Sequence, residues 1–206
     1  LPFPVTHHTV GRNNTRPHSM HLIRYRAEYQ EPMLALHRSA IEGFTLGMSQ
    51  SEDEADLVAI DQVYLRAGGE FLIGFINEKL VAMGGFQRLT DTSAELRRMR
   101  IERELQGRGY GTQLLRELER LAFQSGIRTI CLAVARQRPL TLEFYRKHGY
   151  QEAGQSLYGA VETVQFSKTL DERACESAAN QCAAPNCGPA TPVGNPEVTE
   201  GPPSVT

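Results

Sequence analysis

One glycine-rich turn constrains this 206-residue chain more than any other feature. Gln106-Gly107-Arg108-Gly109-Tyr110-Gly111-Thr112 stands between a strand-like stretch, Ala94 to Ile101, and a long amphipathic stretch. In the latter, Leu114, Leu115, Leu118, Leu121 and Ala122 fall on one helical face, and Gly126 closes it. The first turn of a helix carries free N–H groups and the positive end of the dipole. Glycines let an anion approach that backbone closely. The turn is therefore expected to bind a phosphate or diphosphate, with Arg108 and Arg103 adding charge. The plainer alternative is a tight turn that only starts a helix.

Two familiar phosphate sites do not fit. A P-loop needs Lys-Ser or Lys-Thr after its last glycine, and neither is present. A dinucleotide fingerprint needs a third glycine where Thr112 stands and an acid ending the next strand, and Thr129 to Val134 holds none.

The rest of the chain sets this turn in a mixed α/β pattern. Leu22 to Arg26 reads as a strand, and a helix begins at Pro32 with Met33, Leu36, Ala40 and Ile41 at helical spacing. Ser51 to Glu54 fits a capping box before a second helix carrying Leu57, Ile60 and Tyr64, which Gly68-Gly69 stops. Phe71 to Ile76 and Leu80 to Arg88 form a hairpin around Asn77-Glu78-Lys79. Thr129 to Val134 is an apolar, two-sided strand, as in a sheet covered on both faces. Pro139 opens a helix with Leu140, Phe144 and Tyr145 inward, ended by Gly149; Tyr150 to Ala153 and Val161 to Ser167 complete the sheet. The expected fold is a mixed, mostly antiparallel sheet of about seven strands with helices on both faces.

The strand before the glycine turn breaks its own alternation. Leu96 occupies an even position, Met99 and Ile101 odd ones, although side chains of a regular strand alternate faces. A β-bulge near Arg97-Arg98 in this fourth strand accounts for the shift and frees backbone groups to hold an extended, amide-bearing ligand. The alternative is that both arginines are solvated and the shift is accidental.

These residues resemble the GNAT superfamily of acetyl-CoA-dependent N-acetyltransferases. Gln106 to Gly111 matches its Gln/Arg-x-x-Gly-x-Gly/Ala signature, and Phe144-Tyr145-Arg146-Lys147-His148-Gly149-Tyr150 is similar to its helix-to-strand segment with a tyrosine before Gly-Phe/Tyr. The resemblance covers roughly 21–170 and implies the acyl-CoA N-acyltransferase fold. It implies that the donor's pantetheine arm pairs with Met99, Arg100 and Ile101. It further implies that the diphosphate rests on Gln106, Gly107, Arg108, Gly109, Tyr110, Gly111 and Thr112. One departure stands out: the family often has Asn seven residues before the tyrosine, where this chain has Arg138, so that Asn contact is not implied here, although an arginine could still reach phosphate by its charge.

The implied reaction is direct attack of a primary amine, small molecule or peptide, on the acetyl thioester in a ternary complex. An alkyl amine with a pKa of about 10 is mostly protonated at neutral pH, so a base is useful. Glu95, opening the fourth strand, is the candidate base, similar to the glutamate of the histone-acetylating branch; the bland reading is a surface carboxylate beside an arginine. Tyr145 is the candidate acid for the leaving thiolate, against a role as a core aromatic. Cys131 sits mid-strand as an expected inert thiol, His37 as a packing or surface histidine, and His148 at a helix C-terminus. The implied acceptor pocket draws on residues 44–54 and 155–158. Two rivals remain: a non-catalytic acyl-CoA-binding or sensing domain, and a nucleotide-binding domain using the same turn.

Composition separates the ends from this domain. Residues 1–20 form a polar arm expected to be flexible, residues 21–170 the folded domain, and residues 171–206 an acidic tail expected to be disordered. The tail holds six of eleven prolines and three of four cysteines, Cys175, Cys182 and Cys187, without zinc-site spacing. The net charge of −2 argues against nucleic acid, and no apolar run approaches the roughly 20 residues of a membrane span. A cytoplasmic protein without metal is expected. Homodimer formation is left open by the resemblance.

Overall fold

The turn Asn77-Glu78 shows how local sequence sets the architecture. Both residues take positive φ, +48° and +65°, the pair of left-handed conformations that matches the twist of a two-residue hairpin. It joins β2 (Glu70–Ile76) to β3 (Lys79–Arg88), the best-buried strands of the sheet. In the computed structural model, which describes residues 19–41 and 53–172, seven strands form one sheet in the order β1-β2-β3-β4-β5-β7-β6. The others are β1 (His21–Arg24), β4 (Ser93–Ile101), β5 (Thr129–Ala135), β6 (Gln151–Tyr158) and β7 (Val161–Thr169). Every neighbouring pair is antiparallel except β4 and β5. This is the mixed, mostly antiparallel sheet expected from the sequence.

Two apolar cores cover its faces. On one face α2 (Tyr110–Gln124) packs Leu114, Leu115, Leu118 and Ala122 against Phe86, Leu96, Ile130 and Phe166, joined by Leu142 and Tyr145 of α3 (Pro139–Lys147). On the other face α1 (Gln30–Ile41) and the segment around Leu57, Ile60 and Tyr64 cover Phe71, Ile73 and Met83. Met20 is buried in the first core, and its carbonyl accepts from Gln113 Nε2 at 2.8 Å.

Three local expectations need correction. The second helix is not a regular α-helix in its described part. Its backbone closes a π-helical turn over Asp61–Leu65, with Arg66 N–H on Asp61 O and Gly69 N–H on Tyr64 O, both 2.8 Å. Leu140 does not point inward. It is 81% exposed, and Leu142 takes the buried place three residues before Tyr145. The first helix begins at Gln30, two residues before Pro32, because a 3-10 turn at Ala27–Tyr29 leads into it. Residues 1–18, 42–52 and 173–206, including the tail cysteines and most of the expected acceptor segment, lie outside the described residues.

Candidate active site

The site begins where the sheet comes apart. β4 and β5 pair over three residues only: Ser93 with Thr129, Ala94 with Ile130, and Glu95 with Cys131. Beyond them, β4 stays on β3 and β5 stays on β7. The facing edges of Leu96–Ile101 and Leu132–Ala135 therefore carry backbone donors and acceptors without a strand partner, in a cleft between neighbouring strands.

Residues 97–100 set the shape of that edge. Met83 faces Arg100 and Gly85 faces Arg97, so Arg98 and Met99 together stand opposite Gly84. Arg98 absorbs the extra length with φ of +58°, a conformation costly for any residue but glycine. Gly84 leaves room for Met99: a Cβ there would come within 2.8 Å of the Met99 sulfur, which would have to shift. Across the shift, Met99 and Ile101 rejoin Ala94 and Leu96 on the α2 face, while Arg100 follows Arg98 toward the α1 face.

The glycine turn lies at the end of this strand. A 3-10 turn, Arg103–Leu105, leads into it, and Gln106 Nε2 donates to Ile101 O at 3.0 Å. Gly107 and Gly109 take φ of +73° and +91°, and a Cβ on either would meet nothing within 4 Å. Gly109 caps α2 without a side-chain hydrogen bond, so the helix start faces open space with its backbone amides. Arg108 is exposed on the turn, whereas the Tyr110 side chain turns into the core. Thr112 hydroxyl bonds His148 Nε2 at 3.0 Å, and His148 Nδ1 lies 2.7 Å from Phe144 O. The carbonyl only accepts, so Nδ1 carries a proton toward it, and the Thr112 hydroxyl, donor or acceptor, satisfies Nε2. His148 thus ties the glycine turn to α3.

Glu95 stands where β4 and β5 part, and Tyr145 lies in the core of the α2 face, within reach of the Arg100 charge. Tyr145 is buried among Phe144, Tyr150 and Phe166, and this burial raises its phenol above the ordinary value despite the opposing charge of Arg100. It stays protonated at neutral pH. Glu95 stands at the last β4–β5 pair, one-third exposed, with Arg97 Nε 3.7 Å from its carboxylate. It points away from the α2 face, because Ala94 and Leu96 on either side of it fill that core. Arg138 opens α3 as its N-cap residue, its carbonyl accepting from Thr141 and Leu142. Cys131 is half-buried with its sulfur 3.6 Å from Ala94 O, and burial raises its thiol further above neutrality.

Sequence reading did not foresee the polar network behind β4. Arg98 is only 8% exposed at its side chain. It donates to Asp53 Oδ1 at 3.1 Å and to Asp56 at 3.0 and 2.6 Å, and Tyr64 also donates to Asp56. Burial disfavours both carboxylates, but the hydrogen bonds and charge of Arg98 outweigh it and hold them below the usual range. His37 is fully buried, with Nε2 2.9 Å from Asp53 Oδ2. Burial first, then the charge of Arg100, lowers its pKa and keeps the ring neutral, with the proton on Nε2 and a bare Nδ1. Arg38 holds Glu54 by two 2.8 Å bonds. The one available signal was the Asp53-x-x-Asp56 spacing, which puts both acids on one helical face.

Arg100 is different from its neighbours. Nη1 donates to Met99 O at 2.9 Å, while Nε is buried with no hydrogen-bond partner. Burial, with Arg98 and Arg138 nearby, pushes the guanidinium down to about 10.

The fold is matched by known proteins. A family profile described as the acetyltransferase (GNAT) family matches residues 33–150. No curated protein is significantly similar to the chain. Among solved structures, a GNAT-family acetyltransferase from Staphylococcus aureus Mu50 is 22% identical, with a TM-score of 0.66 over 74% of this chain and 100% of its own. The PaiA N-acetyltransferase of Thermoplasma acidophilum, solved with coenzyme A, is 20% identical, with a TM-score of 0.58 over 71% and 98%. The ribosomal-protein-S18-alanine N-acetyltransferase of Escherichia coli is 17% identical, with a TM-score of 0.59 over 73% and 94%. With more than half of its length matched by the profile, the chain belongs to the GNAT family of acetyltransferases.

Proposed function

We propose that this protein transfers the acetyl group of acetyl-CoA to a primary amine, both substrates being bound at once. The observation that carries the reading is the parting of β4 and β5 after Glu95, directly before a helix start with open, uncapped amides. The unpaired edge at Met99, Arg100 and Ile101 suits an amide-bearing arm, which it would hold as a further strand. Gln106 to Thr112, with the exposed Arg108, suits a diphosphate at the helix start. Arg138 adds charge from the opposite wall of the cleft. Bound acetyl-CoA supplies an activated thioester.

The protein's own groups then manage protons. Glu95 Oε accepts the amine's proton, directly or through water, from the α1 face. The Tyr145 hydroxyl donates to the departing sulfur from the α2 face, and its raised pKa keeps that proton in place beforehand. The nitrogen's second proton, lost after attack, returns the tyrosinate to a phenol, and Glu95 gives its proton to solvent.

The test is release of free thiol from acetyl-CoA against a panel of aminoglycosides, polyamines, amino acids and peptides. Turnover with one class is expected, and Tyr145→Phe lowers kcat about 100-fold or more while acetyl-CoA binding persists. Tight acetyl-CoA binding without turnover of any amine would leave a binding domain instead.

A further inference from the structure

Among the described residues, the charges lining the α1 side of β4 are matched at every cation but Arg100. Arg98 is saturated by Asp53 and Asp56. Arg97 lies 3.7 Å from Glu95 and donates to Gln87 at 3.2 Å. Asp53 is already shared between Arg98 and His37, and Asp56 between Arg98 and Tyr64. No carboxylate among the described residues forms an ion pair with Arg100, whose one hydrogen bond goes to the adjacent carbonyl of Met99. Its Nε–H is buried and unmatched. An arginine left in this state costs stability unless an anion completes it, and its planar fork is built for a carboxylate.

Position indicates where that anion comes from. Arg100 lies on the part of β4 that has left β5, and it follows Arg98 toward the α1 face, away from the glycine turn's helix. Its charge acts on His37 and Asp53 on one side and on Tyr145 on the other. It therefore stands between the helical layer over β4 and the proton donor of the cleft.

We propose that Arg100 anchors a carboxylate of the acceptor, so that the acetylated amine belongs to an α-amino acid. This rests on the acetyl-transfer reading above. Nearness to Tyr145 favours an acid group adjacent to the reacting amine over one at the end of a long spacer. The other source of an anion is the coenzyme's own diphosphate, and the experiment separates the two.

The kcat/KM of the full chain is measured for L-amino acids and for the matching amino-acid amides, with saturating acetyl-CoA, in wild type, Arg100→Gln and Arg100→Lys. The amides differ in amine basicity, so the reading is the change in the acid-to-amide ratio between proteins. That ratio is expected to fall roughly 10- to 100-fold in Arg100→Gln, the worth of one charged hydrogen-bonded pair, and less in Arg100→Lys. An unchanged ratio overturns the proposal. With acetyl-CoA varied instead at fixed acceptor, a rise in its KM that is equal with both acceptors, the signature of a diphosphate contact, overturns it as well. If no amine is turned over, the acetyl-transfer reading fails by itself, and calorimetry decides the anchor. N-acetyl amino acids should then bind the coenzyme-A-loaded protein at least tenfold tighter than their amides, a preference lost in Arg100→Gln. Equal binding of the two overturns it.

Discussion

Arg98 grips Asp56 with two hydrogen bonds, Nε to Oδ2 at 3.0 Å and Nη2 to Oδ1 at 2.6 Å, from a backbone whose φ is +58°. The clamp joins the helical layer to β4 at the register shift. Both partners are almost fully buried, so removing Asp56 strips the guanidinium of two hydrogen bonds and one of its two counter-charges, leaving Asp53 alone to hold it. Asp56→Ala is expected to cost about 3 to 5 kcal/mol in urea unfolding. Arg98→Gly should be about 1 kcal/mol more stable than Arg98→Ala, because glycine adopts the positive φ freely. Equal stabilities of these two would mean that the backbone there is not under strain.

Acid should weaken the fold in two stages. His37 has a folded pKa below its ordinary 6.5, so the unfolded chain takes up that proton first. Its contribution is present above pH 6.5 and is lost as pH falls from there through the folded value. Asp53 and Asp56 have folded values below 3.8, so their contribution persists to about that pH and is lost below it. Unfolding free energies measured from pH 8 to 5 should decline in wild type and decline less in His37→Gln. An identical slope in the two would remove His37 from this account.

Glu95→Gln should lower kcat/KM about 100-fold at neutral pH. The deficit should narrow toward pH 10, where the amine loses its proton without help. A loss of equal size at every pH would assign Glu95 a role other than proton acceptor, and no loss would place the base elsewhere.

Gly109→Ala and Gly126→Ala form a matched pair. Both glycines have φ of +91°, both stand at ends of α2, and an added Cβ meets nothing within 4 Å at either. Each substitution should cost roughly 1 to 2 kcal/mol of stability. Only Gly109→Ala should raise the KM for acetyl-CoA, by about tenfold, because only there would the methyl group crowd a bound anion. A similar rise in both would point to a general loosening of the helix.

The sequence made the sheet legible where residues carried their own pattern. Asn77-Glu78 marked a hairpin, and Leu96, Met99 and Ile101 marked the break in alternation that coincides with the register shift. Other parts depended on tertiary contact. β6 runs to Tyr158 although all its residues are exposed and lack an apolar alternation, because pairing with β7 extends it. Leu140, Phe144 and Tyr145 have helical spacing, but the packing of α3 leaves Leu140 outside and takes Leu142 in its place, with Phe144 partly buried against the core and Tyr145 within it. The Arg98 network joins residues 42 to 45 positions apart, beyond the reach of any local period. Glycine turn, candidate acid and candidate base could be named from motifs; the unmatched state of Arg100 emerged only once its neighbours' partners were known.

The three-residue junction between β4 and β5 also bears on folding. Strands one to four and strands five to seven meet along a very short seam, so the middle of the sheet is its thinnest part. A molecule lodged there would act as mortar between the halves as well as being consumed by the reaction. Loading with coenzyme should then raise the melting temperature with concentration, and heat would open the empty protein first along that line.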